Sequence, residues 1–181
     1  MANNFNTANT EGIDFNTTYT SYIQSNAVSA TNSPDNPGPP VSVGTTVKGT
    51  NDSDYVFVLA SSAIALGDVV LISPAYAAAS ITTTTATAGK GSLVGVAANV
   101  AIASGAYGWV QRAGTCSTGI RVVGATAPFV TLAATATPGV LDDVVTTGTV
   151  NITGVVITVT SAAATAATAG ILNYPVVGAV N

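Results

Sequence analysis

The sequence has little of what enzyme chemistry usually requires. It contains no histidine, a single cysteine (Cys116) and four basic residues among 181, and only 7% of its residues are charged. Without histidine, no side chain has an ordinary pKa near neutrality, and neither a serine nor a cysteine triad with histidine can form. A zinc site of the usual cysteine and histidine type is excluded for the same reason. The composition therefore predicts a protein that is not an enzyme and that binds no metal or cofactor.

Positive charge and long apolar runs are also scarce. Two lysines and two arginines, in a chain of net charge −4, are too few to line a basic groove for nucleic acid. No stretch provides the roughly 20 continuous apolar residues of a membrane-spanning helix. Residues 1–12 are polar and have neither the basic nor the apolar region of a signal peptide. We therefore expect synthesis in the cytoplasm, with no nucleic acid, membrane or small-molecule substrate as a partner.

Small apolar residues are what the sequence has in abundance. Hydrophobic residues make up 48% of the chain but aromatic residues only 6%, so a core would consist mainly of valine, isoleucine, leucine and alanine. Soluble monomers usually depend on surface charge for colloidal stability. A chain with so little charge is expected to be packed against protein partners. The alternative is an extracellular β-domain whose surface is rich in threonine and serine.

Residues 1–40 differ in composition from the rest and are predicted to form an extended N-terminal arm. They hold eight of the 13 asparagines and end in the sequence SPDNPGPP, which favours an extended or turn-rich linker. Four apolar residues, starting at Phe15, occur at i, i+4, i+7 and i+8, the spacing of one stripe on a short helix. A polar arm with so few anchors cannot form its own core, so it is either disordered or ordered on a partner surface. The anchors expected at such an interface are Phe5, Phe15, Tyr19, Tyr22 and Ile23.

Residues 41–181 are predicted to form an all-β body, either a small β-barrel or a β-sandwich. Short runs rich in β-branched residues alternate with glycine and proline turns, a pattern typical of such folds. Two stretches rich in alanine and threonine, 75–88 and 161–169, fit an extended loop or a strand, and the second also fits a short helix ending at Gly170. The predicted strands are residues 55–59, 68–72, 92–97, 106–111, 119–123, 129–132, 150–153, 155–160 and 175–180.

Three short motifs match ligand-binding patterns only in part. The AGKGS sequence at 88–92 has glycine where a phosphate loop requires serine or threonine after its lysine, so it is interpreted as a turn. Residues 51–54 (NDSD) lack the later glycine and glutamate of a calcium loop. Asp142 and Asp143 would face opposite sides of a strand, which does not suit an acid–base pair. Cys116 has no histidine to activate it and is interpreted as a small, partly buried thiol.

One run of the body carries a family resemblance. Residues 93–123, LVGVAANVAIASGAYGWVQRAGTCSTGIRVV, contain a strand ending in Gly-Val-Ala, the run GAYGWVQ, a glycine turn and a valine-rich strand. Together with LGDVV at 66–70 and PGVLD at 138–142, this run resembles the small head-decoration, or cement, proteins of tailed bacteriophages. The resemblance covers about residues 60–145 of this sequence. It implies a small β-barrel or β-sandwich that binds the outside of an assembled capsid, often as a homotrimer on local threefold positions.

The resemblance also implies a mechanism and a location. The major capsid protein would be the partner, and the protein would lie on the virion surface, where it bridges neighbouring capsomers. By binding only the mature, expanded shell, it would add free energy to that state. The arm would then lie on the shell or on a neighbouring subunit. A tail-fibre or adhesin module for surface attachment is the alternative, because such a module would also be β-rich and poor in charge.

Three residues of the body join the arm anchors as expected contacts at a capsid or subunit interface. Arg112 and Arg121 are the only arginines and fall on neighbouring predicted strands. The guanidinium group suits bidentate contacts with carboxylates, so both are candidates for pairing across an interface, although a solvated surface position is the alternative. Trp109 is the only tryptophan, and buried aromatic residues often contribute most of the binding energy of an interface.

Overall fold

Ten β-strands and one short helix form the described part of the chain, which confirms the prediction of an all-β body. The computed structural model describes residues 15–19, 39, 41–50, 52–144, 147–162 and 164–180. All ten strands belong to one hydrogen-bonded sheet that closes on itself twice. In chain order the elements are β1 (Thr46–Lys48), β2 (Asp54–Ala60), β3 (Val69–Ile72), β4 (Ala77–Ser80), α1 (Thr83–Ala88), β5 (Leu93–Val96), β6 (Tyr107–Val122), β7 (Leu132–Ala134), β8 (Leu141–Asp142), β9 (Val150–Ile157) and β10 (Ala166–Val180).

The first closure forms barrel one, which consists of β2, β4, β3, β5 and the first part of β6. β2 pairs in parallel with β4 on one edge and antiparallel with β6 on the other, where Phe57 lies opposite Trp109. The ring closes between β5 and β6, at Val96 and Gln111. The apolar cluster of this barrel contains Val56, Val58, Ala60, Ile64, Val70, Ile72, Ala78, Ala97, Ile102, Ala106 and Val110.

The second closure forms barrel two, which consists of the rest of β6 with β8, β7, β9 and β10. β6 pairs antiparallel with β10 and, through Val122 and Leu141, in parallel with β8. β7 joins β8 to β9, and β9 pairs with β10 to complete the ring. β6 is therefore a wall of both barrels. The short helix α1 contributes Ala86 to the core of barrel two.

β3 and β5 separate the two apolar cores. Side chains alternate across a strand, so Val70 and Ile72 of β3 pack in barrel one while Val69 packs with the core of barrel two. On β5, Val94 and Val96 also belong to the barrel-two core. The uninterrupted apolar sequence VVLI of β3 is therefore the pattern of a strand that is buried on both faces.

The long strand β6 corrects the sequence analysis, which placed two strands here with a turn at Gly114. Gly114 and Gly119 have φ values of +87° and +105°, yet the strand continues through both. A Cβ on Gly114 would lie 2.7 Å from the Cα of Ser53, and one on Gly119 would lie 2.7 Å from the backbone of Ala167. These glycines allow close approach of backbones within a strand, and they do not end it. Arg112 and Arg121 consequently lie on one strand rather than on neighbouring strands.

Local backbone conformation also changes the predicted bounds of β7 and β9. The runs predicted at 150–153 and 155–160 form one strand, β9, because Gly154 adopts a φ of +81° and lets the chain continue past a bulge. The strand predicted to begin at Phe129 begins instead at Leu132. Phe129 has a φ of +59°, which is incompatible with a β-strand.

The two stretches rich in alanine and threonine have different structures. Residues 75–88 contain strand β4 and helix α1, which begins after a capping box in which Thr82 and Thr85 bond to each other's backbone. The second stretch, 161–169, runs into β10. Residues 166–170 lie in that strand, so the helix considered there is not formed.

The described residues 15–19 of the arm do not form a helix. Phe15 lies in a turn, and Tyr19 forms an antiparallel bridge with Tyr107. The helical stripe predicted from Phe15 and Tyr19 is therefore wrong over residues 15–19. Phe5, Tyr22 and Ile23 lie outside the described residues, and the boundary at residue 40 stays a prediction.

Candidate interaction surfaces

An aromatic cluster on the outer face of barrel one holds Phe15 against the body. Phe15 stacks on Tyr55 with ring centroids 4.2 Å apart and meets Trp109 edge-on at 5.5 Å. Phe57 completes the cluster, with its ring centroid 4.9 Å from that of Trp109. Each of the four side chains is no more than 2% exposed. Tyr55 and Phe57 alternate along β2 with the valines that face the interior, so this strand is apolar on both faces.

Tyr19 anchors the other end of this segment. Its backbone N–H donates to the carbonyl of Tyr107 over 2.9 Å, and the N–H of Tyr107 donates back over 2.6 Å. Phe15, Tyr19 and Trp109, which the sequence analysis assigned to a partner interface, are thus buried within the chain itself. Their contact with a partner stays a prediction, and it would require residues 15–19 to leave the body.

Arg121 is also engaged within the chain, at the junction of the two barrels. Its guanidinium donates to the carboxylate of Asp68 over 2.5 Å, and the Asp68 side chain is 5% exposed. Ser80 donates its hydroxyl to the same carboxylate over 2.6 Å, and the N–H of Ala65 donates over 3.0 Å. Gly139 packs so closely on Asp68 that no Cβ would fit there. The glycine-aspartate motif at 66–70, the end of the 93–123 run and the PGVLD motif therefore meet at one buried ion pair.

Arg112 belongs to a second polar group, on the outer surface. Its guanidinium donates to the carbonyls of Val94 and Pro175 over 3.2 and 3.3 Å and lies 5.6 Å from the ring centroid of Tyr174. The Tyr174 hydroxyl donates in turn to Asp54, which also accepts a 2.8 Å hydrogen bond from Lys48. This chain of contacts ties β1 and β2 to β10, so Arg112 supports the junction between elements rather than standing free in solvent.

The titration behaviour of this group follows from its contacts. Burial acts to raise the pKa of Asp54, but the hydrogen bonds from Lys48 and Tyr174 outweigh it and hold the pKa below its ordinary value. The same contacts raise the pKa of Lys48 and that of Tyr174, because each donates a hydrogen bond to Asp54. Partial burial lowers the pKa of Arg112.

The most exposed large apolar side chain among the described residues is Phe129, at 72%. It lies beside a groove of about 410 Å³ between residues 129–131 and β9, which we call the Phe129 groove. The backbone N–H of Phe129 donates to the carbonyl of Ile157 over 3.1 Å and fixes the segment in place. The φ of +59° is a strained conformation for a bulky residue. The lining consists of Phe129, Val130, Thr131, Ile152, Thr153, Gly154, Val155 and Val156, none of which is ionisable.

A second concavity lies between the β3–β4 turn and the turn that follows α1. It has a volume of about 380 Å³, and we call it the Lys90 pocket. The turn predicted at residues 88–92, in place of a phosphate loop, is present in the structure. The sequence does not reveal the pocket, since its other wall comes from residues near 75, which no motif marks. It is lined by Ile72, Ser73, Pro74, Tyr76, Lys90, Gly91, Ser92 and Leu93.

Several kinds of site are missing from the described residues. No three histidine, cysteine or acidic side chains there gather into a group able to hold a metal ion. Within the same ranges, no helix has both the length and the apolar character to cross a bilayer. Cys116 is buried in the barrel-two core, where burial raises the pKa of its thiol.

No family model matches the sequence, and no curated protein matches it either. The surfaces described above are therefore the features from which a function can be proposed.

Proposed function

We propose that this protein is a capsid decoration protein of a bacteriophage head. It binds the major capsid protein on the outer surface of the mature shell, as a homotrimer, and bridges neighbouring capsomers. The observation that carries the proposal is the Phe129 groove, an exposed apolar concavity with no ionisable lining. Contiguous apolar patches on a protein surface are typical of sites that bind another protein.

The scarcity of charge on the exterior supports the same proposal. Of the four basic side chains, Arg121 is paired with the buried Asp68 and Lys48 with Asp54. Arg112 is committed to backbone carbonyls and to the face of Tyr174. The cores of stable interfaces are depleted in charged residues, so such an exterior suits a permanent contact better than a transient one.

The strength of the attachment follows from repetition. Burial of one phenylalanine side chain contributes about 1.5–3 kcal/mol, which is too little for stable binding by one subunit. A trimer offers three equivalent Phe129 grooves to a symmetric lattice, and the second and third contacts form at a high effective concentration. A ligand that binds only the expanded shell stabilises that shell by mass action.

Co-sedimentation with capsids tests this function. Purified protein is mixed with mature capsids stripped of it and, separately, with unexpanded procapsids. We expect saturable binding to the mature shells only, in hundreds of copies per particle. Phe129→Ser should weaken binding at least about tenfold, while Leu66→Ser, which changes another exposed apolar residue, should not. Absence of wild-type binding to both kinds of shell would overturn the proposal.

A truncation that ends before Phe15 tests whether the first part of the arm contacts the shell. Removal of residues 1–14 deletes Phe5 but leaves the Phe15 and Tyr19 anchors on barrel one. If the arm contacts the shell, the truncated protein should keep its stability and lose capsid occupancy. Unchanged occupancy would exclude a contribution of residues 1–14, including Phe5, to capsid binding.

An adhesin or tail-fibre module is the second candidate function, and the Lys90 pocket is the observation that favours it. A decoration protein that acts only as cement has no need of a concavity with polar groups on its exterior. Copy number in purified particles separates the two functions, because fibre proteins are present in few copies and decoration proteins in hundreds.

A further inference from the structure

The Lys90 pocket offers hydrogen-bond donors that the chain itself does not use. Within the described residues, the Lys90 ammonium, the Ser92 hydroxyl and the Tyr76 hydroxyl have no hydrogen-bond partner. The Ser73 hydroxyl accepts from the N–H of Ala77 over 3.1 Å, which leaves its own hydrogen free to donate. Lys90 thus differs from Lys48 and from both arginines, which all have partners within the chain.

The wall that carries Tyr76 is rigid. The N–H of Ser73 donates to Ala77 and the N–H of Tyr76 donates to Ser73, each over 2.9 Å, so the β3–β4 turn is closed by two backbone bonds. Tyr76 has a φ of +56°, a strained value that persists only where the surroundings impose it. The backbone of Gly44 packs on the ring, since a Cβ at that position would lie 2.5 Å from Cε2 of Tyr76. The ring is therefore held in place before any ligand arrives.

The lining specifies the chemistry of a ligand. Lys90 is the only charged side chain in it, so the pocket suits an anion. A phosphate is disfavoured, because the N–H groups of Gly91 and Ser92 already donate to Val177 and Gly89 and form no cradle. A simple carboxylate would satisfy the lysine but leave the hydroxyls and the tyrosine ring unused. Pockets that take small molecules combine an apolar lining with a few placed polar groups, and this volume lies in their usual range of about 300–1,000 Å³.

We propose that the Lys90 pocket binds an acidic sugar, a hexuronic acid unit of a polysaccharide. Lys90 receives the carboxylate, Ser73 and Ser92 bond to ring hydroxyls, and the apolar face of the sugar lies on the Tyr76 ring. Ile72 and Leu93 form the apolar floor. This inference does not depend on capsid binding, and it would give an outward-facing virion protein a contact with cell-surface or capsular polysaccharide.

A titration in solution tests the pocket with the full chain alone. Glucuronate is added to isotopically labelled protein, and backbone amide shifts are followed by NMR, with glucose and acetate as controls. We expect saturable shifts at residues 73, 76, 90 and 92 with glucuronate, binding at least about tenfold weaker for either control, and weakening with added salt. Lys90→Gln should weaken glucuronate binding about tenfold, whereas Lys48→Gln, the same change of charge outside the pocket, should leave it unchanged.

Three results would overturn the assignment. If glucose binds as tightly as glucuronate, Lys90 does not recognise the carboxylate. If acetate binds as tightly as glucuronate, the Tyr76 ring and the serine hydroxyls do not contribute to binding. An acidic peptide that binds at these residues more tightly than glucuronate would make the pocket a docking site for protein. Because no capsid is present, failure here leaves the co-sedimentation result untouched, and the reverse also holds.

Discussion

The Arg121 guanidinium meets the Asp68 carboxylate at 2.5 Å, across a separation of 53 residues in the chain. Asp68 stands immediately before β3, the strand that divides the two cores, and Arg121 stands near the end of β6, the strand that both barrels share. The Asp68 side chain is 5% exposed and that of Arg121 is 30% exposed. The ion pair therefore fixes barrel two onto barrel one through a carboxylate that is largely shielded from water.

Removal of the Asp68 carboxylate should be strongly destabilising. Asp68→Ala leaves the Ser80 hydroxyl and the Ala65 N–H without their acceptor as well as Arg121 without its partner. We expect a loss of about 3 kcal/mol in the free energy of unfolding, measured by denaturant titration. Asp54→Ala is the matched control, because its lysine partner is 79% exposed, and should cost no more than about 1 kcal/mol. Equal losses for the two variants would contradict the structural importance of the Asp68 pair.

Because Phe15 packs on Trp109, the fluorescence of this tryptophan should report whether the arm is bound to barrel one. Phe15→Ala removes the side chain that covers Trp109, so the only tryptophan should become accessible to water. We expect a red shift of its fluorescence, faster quenching by acrylamide and a loss of about 3 kcal/mol in the free energy of unfolding. Phe129→Ala makes the same chemical change at an exposed position and should alter neither emission nor quenching. An unchanged spectrum in Phe15→Ala would show that the arm does not cover barrel one in solution.

Substitutions of Phe129 should change capsid binding and the stability of the fold independently of each other. Asparagine adopts positive φ more readily than other residues with a side chain, so Phe129→Asn should leave stability unchanged or raise it by up to about 1 kcal/mol. The same substitution removes the aromatic side chain at the groove and should weaken capsid binding at least about tenfold, as Phe129→Ser should. Phe129→Val, with a β-branched side chain that resists this φ, should lower the melting temperature instead. A parallel loss of stability and binding in Phe129→Asn would indicate a structural role for this residue.

Low pH should weaken the hydrogen bonds that Asp54 accepts from Lys48 and Tyr174. Its pKa in the folded chain is lowered by the hydrogen bonds from Lys48 and Tyr174, so the stabilisation is fully present above the unfolded pKa of about 3.9. It is lost as the pH falls through the lower folded value, because protonation then removes the acceptor charge. Asp54→Asn lacks this ionisation, so the stability difference between wild type and variant should shrink as the pH falls from 6 towards 2. A stability difference between wild type and Asp54→Asn that stays constant from pH 6 to pH 2 would exclude a contribution of the ionised Asp54 carboxylate to stability.

The sequence allowed the all-β body to be predicted because most strands are short, β-branched and bounded by turn residues. β2 and β3 were located correctly from their apolar runs. β6 and β9 were divided because glycine inside a strand resembles glycine in a turn. Only the neighbouring backbone of Ser53 at Gly114, or of Asn173 at Gly154, distinguishes the two cases, and nothing in the local sequence reports a neighbour so distant in the chain.

The predicted interface residues have contacts within the chain that the sequence does not reveal, for a physical reason. Phe15, Tyr19 and Trp109 were predicted to contact a partner, whereas in the structure they pack on the outer face of barrel one. This outer face is apolar because the side chains on both faces of β2 are apolar. The sequence alone does not show which face of β2 packs in the barrel interior, because that depends on the neighbouring strands. Arg121 has its carboxylate partner within the chain, and the groove at Phe129 arises from a backbone conformation that side-chain patterns do not indicate.

The two barrels occupy consecutive parts of the chain that meet within β6, since barrel one uses residues 54–113 and barrel two uses residues 113–180. A chain emerging from the ribosome can therefore close barrel one before most of barrel two has been synthesised. At that stage Val69, Val94 and Val96 still lack the core they pack against. A chain that lacks the C-terminal strands therefore exposes a valine-lined face, and translation that stops before β10 should yield an aggregation-prone fragment rather than a shorter stable domain.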